Sequence, residues 1–242
     1  MSVQKVSVVI PCFNEEETLS TLIKKLERVC LLIDSAKYSL SFVFVDDGST
    51  DTTLALLQEY CDKNSYSQIV HRKQNGGFGA ALKSGLRAAE GDLVVTIDAD
   101  TNYDHLEIPD ILNELTGDYD VVTASPLHPD GSWNYPMHRF VTSRIVAQLY
   151  KMSLGPKHNN IYTFTSGFRV YRRKILDSIM PQADDFLATA EMLTNALLKG
   201  YRIKEYPTVV YDRMYGRSKL RTVATAISHI KLIMKLFFMR KN

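Results

Sequence analysis

The sequence predicts an α/β fold: a doubly wound, mostly parallel sheet with helices on both faces, followed by an amphipathic helix at the C-terminal end. Three observations predict it. Short β-branched runs alternate with stretches of helical periodicity through the first half of the chain, as strands joined by crossover helices do. Several of those runs end in acidic or glycine-bearing turns, and the carboxyl edge of an open α/β sheet is where ligands bind. Residues 222–238 repeat apolar side chains at helical spacing, with lysines set apart from them. A chain of 242 residues, 45% hydrophobic and 23% charged, suffices for one large domain with a full core. We place that domain at residues 1–220 and the basic amphipathic helix at 221–242.

The first strand is Val6-Ser7-Val8-Val9-Ile10, stopped by Pro11. Cys12-Phe13-Asn14-Glu15 then turns into a helix over residues 16–32, where Leu19, Leu22, Ile23, Leu26, Val29 and Cys30 share one face. A second strand, Leu40-Ser41-Phe42-Val43-Phe44-Val45, ends in Asp46-Asp47-Gly48-Ser49-Thr50-Asp51, and helical spacing resumes over 52–60. Ser67-Gln68-Ile69-Val70-His71 is a weaker third strand. Gln74-Asn75-Gly76-Gly77-Phe78-Gly79 opens the next helix, which continues through 80–86. Leu93-Val94-Val95-Thr96-Ile97 is a buried strand that delivers Asp98-Ala99-Asp100, and a helix near 105–115 leads to a further strand at 119–123.

Composition excludes several classes. A formal charge of +2 argues against nucleic acid as a partner. Cys12, Cys30 and Cys61 are odd in number and widely spaced, so neither a disulfide framework nor a zinc site is expected, and a reducing cytosol fits them. The N-terminal residues enter a strand at once, leaving no room for a signal peptide, and no apolar run reaches the ~18 residues of a membrane span.

Asp98 and Asp100, one residue apart at the end of a buried strand, can turn both carboxylates toward one divalent cation. Such a hard ion takes oxygen ligands and bridges them to nucleotide phosphates. The glycines at 76, 77 and 79 fail the dinucleotide fingerprint, since no third glycine falls at the required position, and no GxxxxGK[ST] run is present. Their free amides could hold a phosphate, position the nearby aspartates, or simply let helix and sheet approach. Arg213 and Lys219, six residues apart across Tyr215-Gly216, suit either a basic loop that closes over a diphosphate or a plain solvated loop.

Val9-Ile10-Pro11-Cys12-Phe13-Asn14-Glu15, Val45-Asp46-Asp47-Gly48-Ser49-Thr50-Asp51 and Asp98-Ala99-Asp100, in this order, resemble the nucleotide-sugar half of glycosyltransferase family 2, the GT-A fold. Thr165-Ser166-Gly167-Phe168-Arg169-Val170-Tyr171-Arg172 and Asp212-Arg213-Met214-Tyr215-Gly216-Arg217-Ser218-Lys219-Leu220 resemble its dolichol-phosphate mannose synthase and polyprenyl-phosphate branch, so the resemblance runs over about residues 6–220. It implies that Pro11, Phe13 and Glu15 line the base and ribose with Asp47 or its neighbour Asp46. It implies also that Asp98, Ala99 and Asp100 meet the diphosphate, that Asp98 and Asp100 hold Mg²⁺ or Mn²⁺, and that Arg213 and Lys219 grip phosphates. Two departures stand out. Asn102 replaces a glutamine that commonly adds a metal ligand, and is one methylene shorter. The arginine usual after the next strand is absent from Ala124-Ser125-Pro126-Leu127-His128-Pro129-Asp130-Gly131, so its role passes to Arg139 or Arg144.

The acceptor turns on whether a base is needed. Relatives that glycosylate hydroxyls commonly carry a Glu-Asp pair on the helix after the sheet. Here Thr189-Ala190-Glu191-Met192 has no aspartate beside Glu191. A phosphate acceptor arrives ionised, its second pKa near ~6, and needs cations instead; Arg139, Arg144 and Arg169, with Ser166, are the candidates. The expected function is inverting transfer of a hexose, mannose before glucose, from GDP-mannose or UDP-glucose to a polyprenyl or dolichyl phosphate. The alternatives are transfer to a sugar or glycolipid hydroxyl with Glu191 as base, and a non-catalytic nucleotide-sugar-binding regulatory subunit. On the C-terminal helix, Val223, Ile227, Ile230, Met234 and Phe237 share a face. Lys231, Lys235, Arg240 and Lys241 add charge, while Leu232 and Leu236 break the polar side. This reads as a helix lying in a membrane interface, on the cytosolic surface; packing on its own domain or on a membrane partner subunit is the other reading.

Overall fold

The structure, a computed structural model, describes residues 3–134 and 136–212, and 222–241 with side chains from 225 to 239. A seven-stranded sheet organises it, in the order β3-β2-β1-β4-β7-β5-β8. The strands are β1 (Gln4–Cys12), β2 (Tyr38–Asp46), β3 (Ser67–His71), β4 (Leu93–Thr96), β5 (Val121–Ser125), β7 (Arg169–Arg172) and β8 (Ile203–Pro207). β6 (Ser132–Asn134) and β9 (Val209–Tyr211) pair separately as a parallel ribbon. All neighbours in the large sheet run parallel except β7, which is antiparallel to both β4 and β5.

Period-2 alternation sorts the strands onto two cores. Val6, Val8 and Ile10 with Phe42 and Phe44 face α1 (Glu16–Leu32), α2 (Thr53–Lys63) and α4 (Ile108–Glu114). Val9, Val43, Val45 and Val94 face α3 (Phe78–Ala88), α6 (Leu176–Ile179) and α7 (Leu187–Leu198). Helices therefore cover both faces, as expected. Pro11, which the sequence reading placed after the first strand, lies within it. β4 pairs with β1 only as far as Val9, with Ile97 N donating to Val9 O at 3.2 Å, so Pro11 withholds its amide where no ladder remains to break.

A third core gathers α5 (Met137–Leu154), α7 and α8 (Thr222–Lys241) around Tyr150, Phe164, Leu193, Leu232 and Leu236. Leu232 and Leu236, 8% and 3% exposed, are the residues that pack α8 down, whereas Ile230 and Met234 are 54% and 53% exposed. The helix thus both packs on its own domain and keeps an apolar face outward. Among the described residues no helix is long and apolar enough to cross a membrane.

Candidate functional site

The loops beyond β1 and β2 are laced together by reciprocal side-chain bonds. Asn14 N donates to Ser49 Oγ at 2.9 Å and Asn14 Oδ1 accepts from Thr50 N at 2.8 Å. Glu15 N donates to Thr53 Oγ1 at 2.8 Å, while Glu16 Oε2 accepts the amide and hydroxyl of Thr52 at 3.1 and 2.7 Å. Asn14 takes φ +50°, a left-handed conformation that asparagine tolerates. These bonds fix the backbone that carries Phe13 and Glu15 to the cavity that Asp47 also lines.

Asp47 is buried and held from three sides. Gly76 N donates to its carboxylate at 3.1 and 3.3 Å, Gly77 N at 2.9 Å, and Arg72 Nε lies 3.2 Å away. Burial raises its pKa above the ordinary carboxylate value, and the two amides and Arg72 pull the other way. Of the roles left open for the glycine stretch, holding an aspartate is one it performs, and close approach is another. Gly77 sits at φ +93°, and a Cβ there would lie 2.5 Å from Asp184 O. Asp46, by contrast, is fully buried, with Oδ2 2.9 Å from His71 Nδ1 and Oδ1 accepting Ser49 N at 3.4 Å. The expectation that it lines the ligand site is corrected: it braces the turn from beneath.

Beyond β4, Asp98 and Asp100 form the floor. Asp100 Oδ1 accepts Asn102 N at 3.2 Å and its Oδ2 accepts Asn102 Nδ2 at 3.1 Å. Between them Thr101 sits at φ +57°, a strained position for a β-branched residue, of the kind that clusters at functional sites. His105 is buried; burial pushes its pKa down to about 4, so the neutral ring donates Nε2–H to Asp98 O at 3.1 Å. Gly167 closes against the Asp98 carboxylate, where a Cβ would fall 2.8 Å from Oδ2.

These groups border one cavity of about 250 Å³, lined by Pro11, Cys12, Phe13, Glu15, Asp47, Asn75, Gly77, Phe78, Ala81, Asp98, Ala99, Asp100 and Phe186. Of the donor-side residues singled out in the sequence, Pro11, Phe13, Glu15, Asp47, Asp98, Ala99 and Asp100 are among them, while Asp46 and Asn102 are not. Asn75, Gly77 and Phe78 belong to the glycine stretch already noted in the sequence, whereas Cys12, Ala81 and Phe186 were given no role there. Phe78 and Phe186 stack at 4.8 Å and 11°, forming one wall. Phe186 comes from the 182–186 loop, far along the chain, where only a lone aromatic before a helix marked it. Asp184 O accepts the amides of Gly79 and Ala80 at 2.8 and 3.3 Å, and Lys83 Nζ reaches Gln182 O at 3.1 Å, docking that loop on α3. Glu191 holds the same loop from behind: its Oε2 accepts Gln182 N and Ala183 N, both at 2.9 Å, and it is not among the cavity residues.

The acceptor-side residues are not brought together. Arg169 is 0% exposed. Its guanidinium donates to Thr123 Oγ1 at 3.0 Å, to Phe164 O at 2.7 Å and to Thr189 O, so its assignment to an acceptor phosphate is corrected to a buried brace. Ser166 is buried with Oγ 3.3 Å from both Phe168 N and Phe168 O, a role in the turn and not at an open site. Arg139 is exposed on the first turn of α5. Arg144 opens into a second cavity that shares no lining residue with the first. Arg213 and Lys219 lie outside the described residues, as do the side chains of Val223, Arg240 and Lys241. β9 leads toward the first two: Tyr211 N donates to Asn102 O at 2.9 Å, so the chain reaches position 212 beside the Asp100 loop.

Among the described residues no three His, Cys, Asp or Glu side chains converge on one point. Asp98 and Asp100 nonetheless offer hard oxygens, and Asn102 Oδ1 beside them is buried without a hydrogen-bond partner. Two carboxylates and an amide oxygen fit Mg²⁺ or Mn²⁺ completed by oxygens of a ligand.

Residues 7–180 match the family model described as Glycosyl transferase family 2. Two curated relatives, each named undecaprenyl-phosphate 4-deoxy-4-formamido-L-arabinose transferase, come from Sodalis glossinidius (strain morsitans) and Proteus mirabilis (strain HI4320). They are 30% identical over 220 and 218 residues, 90% of this chain. The chain spans 64% and 63% of their lengths. A solved structure of glucosyl-3-phosphoglycerate synthase from Mycobacterium tuberculosis, in complex with Mn²⁺, uridine diphosphate and glucosyl-3-phosphoglycerate, superposes with a TM-score of 0.68 at 22% identity. The match covers 98% of this chain and 80% of that one, a likeness of fold.

Proposed function

The chain belongs to glycosyl transferase family 2, and from that premise we propose that it transfers a sugar, with inversion, from a nucleoside diphosphate to a polyprenyl or dolichyl phosphate. The observation that carries the reading is the single cavity in which Phe13, Glu15 and Asp47 face Asp98 and Asp100. In it the aromatic and proline side chains of Phe13 and Pro11 pack a base, and Glu15 and Asp47 accept hydrogen bonds from base or ribose. The Phe78 and Phe186 wall keeps water from the anomeric carbon. Asp98, Asp100 and Asn102 would hold Mg²⁺ or Mn²⁺, which when bound neutralises the charge of the leaving diphosphate. Arg213 and Lys219 are proposed as cations on the same phosphates.

For the acceptor, a phosphate oxygen of the lipid attacks the anomeric carbon as the bond to the nucleoside diphosphate breaks, and no proton has to be removed. The engagement of Glu191 by two backbone amides supports this over a hydroxyl acceptor, for which Glu191 would have to act as base. Arg139 remains the candidate cation for the acceptor phosphate. Mannose and then glucose are the first sugars to test, followed by the formamido-arabinose of the relatives' name. The outward faces of α8 (Ile227, Ile230, Met234, Phe237, Phe238) and of α5 (Met137, Val141, Ile145, Met152) support peripheral association with the cytosolic surface of a membrane. The test offers polyprenyl phosphate beside free-hydroxyl acceptors with GDP-mannose, UDP-glucose and the formamido-arabinose nucleotide. Product on the lipid phosphate is expected, and product only on hydroxyl acceptors would overturn the reading.

A further inference from the structure

The second cavity, about 500 Å³, lies between the 126–133 loop and one flank of α5. Arg144 and Lys151, two helical turns apart, both border it, and among the described residues no aspartate or glutamate does. Lys151 Nζ stands 4.2 Å over the Tyr162 ring and Arg144 Cζ 5.6 Å from the Phe140 centroid. Among the described residues neither cation makes an ion pair. Burial lowers the pKa of Lys151, Glu205 acts against this, and Arg144 adds to it, so the two cations repel one another across the cavity. Glu205 is not among the lining residues and accepts Tyr162 N and Thr163 N at 2.9 and 2.8 Å through Oε1. His128, edge-on to Tyr162 at 5.6 Å, is a further nitrogen base on the rim, with Asp130 Oδ2 3.5 Å away. Paired cations between aromatic walls, without a lining acid, complement an anion, and the guanidinium fork suits phosphate oxygens in particular.

We propose that this cavity is a second binding site, taking a phosphate-bearing group through Arg144 and Lys151, either the headgroup of a membrane lipid or a free phosphate. Arg144, a sequence candidate for the acceptor phosphate, is thereby assigned to a site that shares no lining residue with the donor cavity, and the assignment does not depend on the transferase reading. The exposed Val141, Ile145 and Leu149 of α5 lie farther round the same helix, where the acyl region of a lipid would run.

The protein carries its own probe. Its one tryptophan, Trp133, borders the cavity with its ring 5.4 Å from Phe140. Emission from Trp133 is followed while inorganic phosphate, phosphatidic acid in phosphatidylcholine vesicles, or phosphatidylcholine vesicles alone are added. A saturable change with phosphate identifies a free-phosphate site, and one with phosphatidic acid vesicles alone identifies a headgroup site. In either case Arg144→Gln combined with Lys151→Gln should weaken the apparent Kd by at least about tenfold, as expected for losing charge-assisted bonds. A saturating nucleoside diphosphate should leave that Kd in place. No saturable change with either phosphate probe, an unchanged Kd in the double variant, or displacement by the nucleoside diphosphate would each overturn the proposal. The titration needs no turnover, so its failure and a failure of the transferase reading are separately visible.

Discussion

Asp100 and Glu191 are both buried carboxylates, and their partners separate their roles. Asp100 borders the cavity and holds the Asn102 amide, whose oxygen is left unpartnered, whereas Glu191 satisfies two amides of the loop that carries Phe186. Asp100→Asn should therefore lower kcat by roughly 10²–10³ or more, with thermal stability unchanged, since developing charge on the diphosphate loses its counter-ion site. Wild-type turnover would remove Asp100 from that site. Glu191→Gln keeps an acceptor for the loop and should hold kcat within about tenfold. Glu191→Ala takes the acceptor from two part-buried amides, at up to about 1 kcal/mol each, and should raise the donor KM by displacing Phe186; a collapse of kcat in the glutamine variant would instead restore Glu191 as a base. Glu205 gives a pH signature. Burial pushes its carboxyl up to about 7 from an ordinary 4.5, so between those values the folded state keeps a proton that the unfolded chain has released. That stabilisation is complete below about pH 4.5 and is lost as pH rises through 7. Glu205→Gln never ionises, so its Tm relative to wild type should climb between pH 5 and pH 8. A difference that stays constant would show that Lys151 and the Tyr162 and Thr163 amides hold Glu205 ionised throughout. At this scale the sequence was readable where a motif ended a strand and ambiguous between neighbours. Asp46 and Asp47 sit on opposite sides of the chain as it leaves β2, and nothing in their order says which side holds the cavity.

Among the elements, the strands with their own β-branched runs were legible, with boundaries within a few residues, because the central ones bury both faces and show it in composition, while β3, with no fully buried residue, gave the weaker signal. The reversal of β7 was not. Arg169-Val170-Tyr171-Arg172 pairs with Thr96 and Thr123 through register alone, and the guanidinium that anchors it is satisfied by oxygens scattered from 123 to 189. α5 escaped for another reason, since its apolar residues serve both a core and an open surface and blur any single stripe. α8 shows how two faces can be told apart by experiment. Leu236 is buried against the third core, so Leu236→Ala should cost about 2–5 kcal/mol. Ser228 on the same helix donates to Asp185 Oδ2 at 3.0 Å, and Asp185 Oδ1 accepts Leu187 N at 2.9 Å at the start of α7, next to Phe186. Ser228→Ala should therefore raise the donor KM two- to fivefold, for a lost bond of roughly 0.5–1 kcal/mol, while kcat stays put. An unchanged KM would show that the Phe186 wall does not feel α8.

For the whole molecule, the two phases its proposed substrates occupy make the outward side of α5 and α8 decisive. A nucleotide sugar is soluble and a polyprenyl chain is not, so the site has to be held at a boundary. Removing α8 would expose Tyr150, Leu193 and Leu197 beneath it, and loss of activity would then report unfolding as readily as release from a membrane. Exposed positions avoid this. Ile230 and Phe237 are 54% and 43% exposed, so Ile230→Glu with Phe237→Glu should move stability by no more than about 0.5 kcal/mol per site. On a bilayer the same pair forgoes up to about 1.5–3 kcal/mol for each fully desolvated side chain, less at an interface, and adds repulsion from an anionic leaflet. Lys231 and Lys235 would still contribute roughly 1 kcal/mol apiece, screened by salt beyond about 8 Å. The double variant should lose at least tenfold in affinity for anionic vesicles. It should slow transfer to long-chain polyprenyl phosphate in vesicles while transfer to a short, soluble lipid-phosphate analogue stays near wild type. Equal slowing on both acceptors would place these residues in the working of the site itself, and undiminished vesicle binding would show that the membrane is met on another face.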